Sequence, residues 1–285
     1  MEERETFAME NMASDMMAYV EKKAIKANQS EPEDYIGEDG LLYCGRCHTA
    51  RQIRYMGRIG FVLCDCRQAA QNERLANRKE KERAEQIEAL RRDCFPESTM
   101  CEWTFQNDDG MNTKYSKIAT QYTEHFDEMK KKGAGLLIYG LPGTGKSYLA
   151  ACIANELIDK GRRVHMTNFS RIVNLIQNRF EGRQDYIDSL NRYSLLILDD
   201  LGIERKTGYM QENVYTIIDN RYRLGLPMII TTNLTPQDFR TDDVALKRIY
   251  DRIIERCLPL HVEGVNRRYS QGKSNIDDVR GLLGL

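Results

Sequence analysis

Residues Gly140-Leu141-Pro142-Gly143-Thr144-Gly145-Lys146-Ser147 fill the pattern GxxxxGK followed by Ser or Thr. Glycines at these positions let the main chain curl until several N–H groups face one anion. Lys146 then reaches the outer phosphates of a nucleoside triphosphate as a point charge, and the Ser147 hydroxyl can ligate Mg²⁺. Tyr148 follows directly and closes the candidate ATP-binding run.

A second group of oxygen ligands lies downstream. Tyr193 to Gly202 reads YSLLILDDLG, in which an apolar run delivers two acids at its end. Asp199 is placed to hold Mg²⁺, directly or through water. Asp200 is placed to orient or deprotonate an attacking water. Asn233 ends another apolar run, Pro227 to Thr232, and can hold the same water by hydrogen bonds.

Sulfur ligands form a third group. Cys44-Gly-Arg-Cys47-His48 and Cys64-Asp65-Cys66 are a CxxC and a CxC pair. Four thiolates about 2.3 Å from a tetrahedral Zn²⁺ would replace the core that so short a segment cannot build, which makes the expected zinc structural. His48 can substitute for one cysteine, and the alternative is four reduced thiols. Between the pairs, Arg51 to Leu63 is basic and apolar and reads as a hairpin. Its Arg51, Arg54, Tyr55 and Arg58 suit either a contact with nucleic acid or an acidic protein, or an ordinary solvated surface.

These groups need elements to hold them. Leu136 to Tyr139 reads as a buried strand feeding the glycine-rich turn, and Leu149, Ala150, Ile153, Ala154, Leu157 and Ile158 mark the helix after it, closed by Gly161. Val164-His165-Met166 is a short strand, and Phe169 to Phe180 a helix. A helix from Thr207 to Arg223 and a strand from Pro227 follow the acids. Residues 243–256 form a helix that carries Arg248, Arg252 and Arg256 on one face, either solvated or aimed at a neighbouring subunit. Leu258 to Val262 is the last strand. Upstream, residues 5–27 form a helix with Met9, Met12, Met16 and Val20 on one face, suited to docking or to packing on its own domain. Asn28 to Gly40 is polar and reads as a linker. Residues 67–93 form a charged helix that spans roughly 40 Å, and residues 114–131 are helical. The alternation of strands and helices predicts an α/β fold: a parallel sheet flanked by helices behind a small zinc-bound module.

Composition narrows the class. The chain has 285 residues, of which 30% are charged and 41% hydrophobic, so a soluble protein with one large and one smaller domain is expected. A net charge of −1 leaves no global field toward DNA or an anionic membrane, so any basic patch is local. The acidic start lacks an apolar core for export, and no apolar run is long enough to span a bilayer. Eight cysteines without a secretory context favour metal over disulfides. The expected location is the cytoplasm, with no membrane partner.

Taken together, GLPGTGKS, LLILDDLG and TTN resemble the Walker A, Walker B and sensor 1 segments of the AAA+ ATPases that load replicative helicases, the DnaC/DnaI type. The cysteine module before them is similar to that of the Gram-positive and prophage loaders. The resemblance implies ATP, Mg²⁺ and structural Zn²⁺, slow ATP hydrolysis, and assembly of copies on ATP. It also implies a DnaB-type replicative helicase held by the N-terminal module, and single-stranded DNA as a further partner. RIYDR at Arg248 to Arg252 looks like the arginine-finger helix, with Arg252 as the finger. GVNRR looks like the sensor 2 segment, with Arg268 as the sensor and Arg267 the alternative. On this reading residues 1–40 are a helix and linker, 41–70 the zinc module, 71–95 a helical linker and 96–285 the ATPase domain. Asp200 departs from the Glu that many AAA+ proteins carry. The Asp-Asp form is shared by transposition helpers of the IstB type, which bind double-stranded DNA, and that is the alternative function.

Overall fold

The computed structural model describes residues 33–108, 110, 113–177, 182–202, 208–235, 237–267, 269, 276, 279–280 and 282–283. The helix expected over residues 5–27, along with Phe180 and Arg268, lies outside the described residues. The chain divides into two compact units, Met1–Ala84 and Glu85–Leu285.

In the first unit, β1 (Tyr35–Ile36) pairs antiparallel with β2 (Leu42–Tyr43). The polar stretch up to Gly40 is therefore not all linker, because its end supplies a strand. β3 (Gln52–Tyr55) and β4 (Arg58–Phe61) form the expected hairpin, with Tyr55 opposite Arg58. Its two turn residues, Met56 and Gly57, both have positive φ, 47° and 74°, the twist that a two-residue hairpin turn requires. The helix α1 (Asp65–Cys94) starts at the second cysteine pair, with Asp65 in its positive first turn. Its middle is solvated and held by pairs such as Arg78 with Glu82 at 2.8 Å. Its last turns are not a spacer: Ile87, Leu90 and Cys94 belong to the core of the second unit.

The second unit begins with α2 (Thr113–Glu124) and α3 (Phe126–Lys132), where one helix over 114–131 was expected. His125, at φ −96° and ψ 20°, breaks the run and lets Phe126 turn into the core. Then come β5 (Gly135–Tyr139), α4 (Lys146–Asp159), β6 (Val164–Asn168), α5 (Phe169–Gln177), α6 (Arg183–Ser189) and β7 (Leu195–Leu201). The unit continues with α7 (Gly208–Arg223), β8 (Met228–Thr232), α8 (Val244–Arg256) and β9 (Cys257–His261). The five strands form one parallel sheet in the order β6-β7-β8-β5-β9.

Side chains alternate across this sheet, so each strand feeds two cores. Leu136, Ile138, Leu195, Ile197 and Ile229 pack with α2 and α4 on one face, where Trp103 and Phe105 lie at the margin. Leu137, Leu196, Leu198, Met228 and Ile230 pack on the other face with Phe169, Ile172 and Ile176 of α5 and with Ile217, Ile218 and Ile253 of α7 and α8. β5 sits between β8 and β9, and the main chains come so close that a Cβ on Gly135 would lie 1.7 Å from the Met228 carbonyl oxygen. That packing fixes where the glycine-rich turn leaves the sheet. No described helix is long and apolar enough to cross a membrane.

Candidate nucleotide site and cysteine cluster

The loop from Gly140 to Gly145 connects the C-terminal end of β5 to the N-terminus of α4. Gly145 caps that helix in the left-handed region, at φ 94°, and as a glycine it offers no capping side chain of its own. Such a helix start, with its positive dipole end, suits a phosphate. Gly143 has φ 80°, and a Cβ on it would lie 2.0 Å from Asn266 Oδ1. The Gly143 carbonyl accepts the Arg267 N–H at 3.0 Å, so the chain at Asn266 and Arg267 lies against the loop. Thr144 Oγ1 donates to the Leu141 carbonyl at 2.9 Å and tightens the curl.

Lys146 is buried, 5% exposed, and its ammonium gathers the site. It donates to the carbonyls of Gly140 and Leu141, both at 2.9 Å, and to Asn233 Oδ1 at 2.8 Å. An ammonium has three protons, and here three oxygens accept them. The sequence separation between Lys146 and Asn233 is 87 residues, and the parallel pairing of β5 with β8 brings them together. The Ser147 hydroxyl lies near the Asp199 carboxylate of β7 and favours its charged form. Burial raises the Asp199 carboxyl above its ordinary value, against the opposing hydrogen bonds from Thr231 and Ser147. Lys146, Ser147, Asp199 and Asn233 thus meet at the C-terminal edge of the sheet, where ligands bind in open α/β folds. A cation held by Ser147 and Asp199 fits this donor set, because both offer oxygen, the ligand that Mg²⁺ takes.

Asp200 takes a main-chain conformation that sequence reasoning did not foresee. Its φ is 57°. Leu198 lies opposite Ile230 and Leu201 opposite Thr232, so three steps on β7 face two on β8 and one residue is extra. The bulge interrupts the strict alternation by which two adjacent strand residues point to opposite faces. Asp tolerates the left-handed region far better than a longer side chain without local hydrogen bonding. The chain therefore has a backbone reason for Asp where many AAA+ proteins carry Glu. Asp200→Glu is expected to lower ATP turnover rather than raise it, as read by phosphate release. A faster variant would show that side-chain length, not the bulge, limits the reaction.

Other expected residues have different surroundings. Tyr148 turns its hydroxyl onto the Thr104 carbonyl at 2.9 Å and its ring beside Trp103, which pins the segment before α2 to α4. Arg252 is held within the chain: Nε donates to Asp219 Oδ1 at 2.7 Å, Nη2 to Tyr215 Oη at 3.1 Å, and its plane covers Tyr215 and Tyr222. Arg256 lies over Tyr222 as well and donates to the Lys132 carbonyl, so the arginine face is partly folded onto α7. Phe169, Ile172, Val173 and Ile176 are buried, which leaves only the opposite side of α5 for any contact with DNA.

In the first unit, Cys44, Cys47, Cys64 and Cys66 bring their sulfurs within 4.8 Å of one another. Cys44 and Cys64 lie 3.6 and 3.5 Å from Cys66. A tetrahedron of Zn–S bonds about 2.3 Å long has edges of about 3.8 Å, so the donor set fits zinc. The Thr49 hydroxyl, followed by the N–H groups of Cys66 and Thr49, holds the Cys47 thiol down to about 5. The neighbouring sulfurs of Cys64, Cys47 and Cys44 push Cys66 up to about 12. His48 is exposed, faces Tyr35 at 5.8 Å and is not part of the cluster. Arg51 corrects the expectation of a solvated or partner-facing side chain. It is buried, ion-paired with buried Asp34, and its guanidinium lies 3.8 Å from Cys44 Sγ.

The family model described as IstB-like ATP binding protein matches residues 61–275. The replicative helicase loader DnaI of Bacillus subtilis is 26% identical over 163 residues, covering 53% of this chain and 52% of its own length. The replicative helicase loader DnaC of Escherichia coli K12 is 28% identical over 142 residues, covering 48% of this chain and 54% of its own. The chain thus spans about half the length of the curated relatives it matches. A solved structure of DnaI overlays with a TM-score of 0.53 at 25% identity, covering 61% of this chain and 95% of that one.

Proposed function

The chain belongs to the IstB-like ATP binding protein family, and from that premise we propose that it is an AAA+ ATPase that loads a replicative helicase onto single-stranded DNA. The observation that carries the ATPase part is the Lys146 ammonium, which joins the phosphate loop to Asn233 beside a Ser147–Asp199 pair. Helicase loading is supported by the names of the relatives and by the cysteine module ahead of the domain.

In the proposed mechanism the loop N–H groups and Lys146 bind the triphosphate, and Lys146 exchanges its carbonyl partners for phosphate oxygens. Ser147 and Asp199 would hold Mg²⁺, which offsets phosphate charge when bound. Asn233 orients the attacking water and Asp200 accepts its proton. The resemblance offers Arg252 to a neighbouring copy's nucleotide, and Arg252 has to leave Asp219 and Tyr215 to serve there. The sensor role of Arg268 stays with this proposal. Loss of the γ-phosphate weakens the contact between copies and releases the loader. The residues before Glu85, held by zinc, grip the helicase.

The test uses the full chain and a shortened form that starts at Glu85, which keeps Ile87 and Leu90 in the ATPase core. Both are expected to bind ATP, and only the full chain is expected to form a stable complex with the cognate helicase. Equal helicase binding by the two would overturn the docking assignment. The family model's description favours one other reading, a transposition helper. Preference for double-stranded over single-stranded DNA at a fixed salt concentration would select it.

A further inference from the structure

Thr231 lies in β8, fully buried, two residues before Asn233 in the TTN run. Its hydroxyl donates to Asp199 Oδ1 at 2.6 Å and accepts the Asp200 N–H at 2.9 Å. A hydroxyl has one proton and two lone pairs, so both bonds can form together, and each strengthens the other. They occur at the bulge, where the regular ladder between β7 and β8 is interrupted. The next residue does something different. Thr232 donates to the Leu201 carbonyl at 2.7 Å and accepts the Leu234 N–H at 3.0 Å, so it closes the bulge without touching either acid.

We propose that Thr231 is the positioning residue of the two acids. By taking Asp199 Oδ1 it fixes the rotation of that carboxylate and leaves the other oxygen for the cation. By holding the Asp200 N–H it maintains the left-handed main chain that aims the second carboxylate. One hydroxyl thereby sets the geometry of a metal ligand and of the general base. The inference rests on the ATP-hydrolysing reading above, and it concerns the Mg²⁺ step within it.

The experiment measures binding of a fluorescent, non-hydrolysable ATP analogue to the full chain as Mg²⁺ is raised, in parallel with thermal melting. Thr231→Val keeps the branched shape and removes the hydroxyl. It is expected to raise the Mg²⁺ concentration at half-saturation about tenfold or more, the usual size of such outer-sphere effects. Binding of the analogue without Mg²⁺ stays at the parent level. Thr231→Ser retains the hydroxyl and is expected to restore the parent Mg²⁺ midpoint. Thr232→Val, at equal burial, is expected to lower the melting temperature and leave that midpoint in place. An unchanged midpoint in Thr231→Val, or the same shift in Thr232→Val, would overturn the proposal. If Thr231→Val does not fold, Thr231→Ser and Thr231→Ala carry the same comparison. A parent chain that binds no analogue under any condition overturns the ATP reading, and the role of Thr231 with it.

Discussion

Lys146→Ala is expected to lower ATP turnover by about 10²–10³-fold, the range for losing one preorganised donor at a reacting charge. The reason is specific to where the ammonium lies. It is buried, and it is the only group in the site that contacts both the loop carbonyls and Asn233 among the described residues. Alanine removes the charge that the phosphates need and also frees the side chain that orients the water. Asn233→Ala removes only the second function, so it should retain nucleotide binding while turnover falls. Measuring binding and phosphate release separately distinguishes the two. If Lys146→Ala turns over ATP at the parent rate, the bound phosphates do not sit in this loop.

Much of this site was legible in the sequence because its parts are local. A strand, a glycine-rich turn and a helix read in one run from Leu136 to Ile158, and the structure has β5, the loop and α4 there. The apolar run ending in Asp199 and Asp200 was legible for the same reason. What escaped depends on partners far along the chain. Thr231 meets Asp200 across 31 residues, and a threonine in an apolar run reads only as a strand residue. The Asp200 backbone could not be read either, since a bulge is a mismatch between two strands and not a property of one. Arg51 looked like part of a basic hairpin because its partner, Asp34, sits 17 residues earlier in what read as a linker. His125 shows a subtler limit. It has no breaker signal, yet Phe126 gains a core position by ending the helix there, and burial outweighs a propensity of a few tenths of a kcal/mol.

Removing zinc is expected to unfold the first unit and leave the second intact. Among its described residues the buried side chains are Leu41, Cys44, Arg51 and Cys64, together with Asp34, which pairs with Arg51. A single leucine is not a core. Burying it contributes about 1.5–3 kcal/mol, far below what ordering some thirty residues costs at about 1–2 kcal/mol each. Structural zinc supplies on the order of 10–16 kcal/mol at neutral pH, and sulfur ligands so close together repel unless a cation joins them. The Arg51 guanidinium beside Cys44 Sγ helps to hold that negative charge but is itself neutralised by Asp34. A strong chelator, or Cys44→Ser with Cys64→Ser, should therefore release about one zinc per chain. Amide protection over β1 to β4 should disappear with it. Residues of the sheet from β5 to β9 should keep theirs, because their cores contain none of the four ligands. Retained protection in β3 and β4 after the metal is gone would mean that the module folds on its own. The cysteine cluster would then be reactive thiols rather than a structural centre.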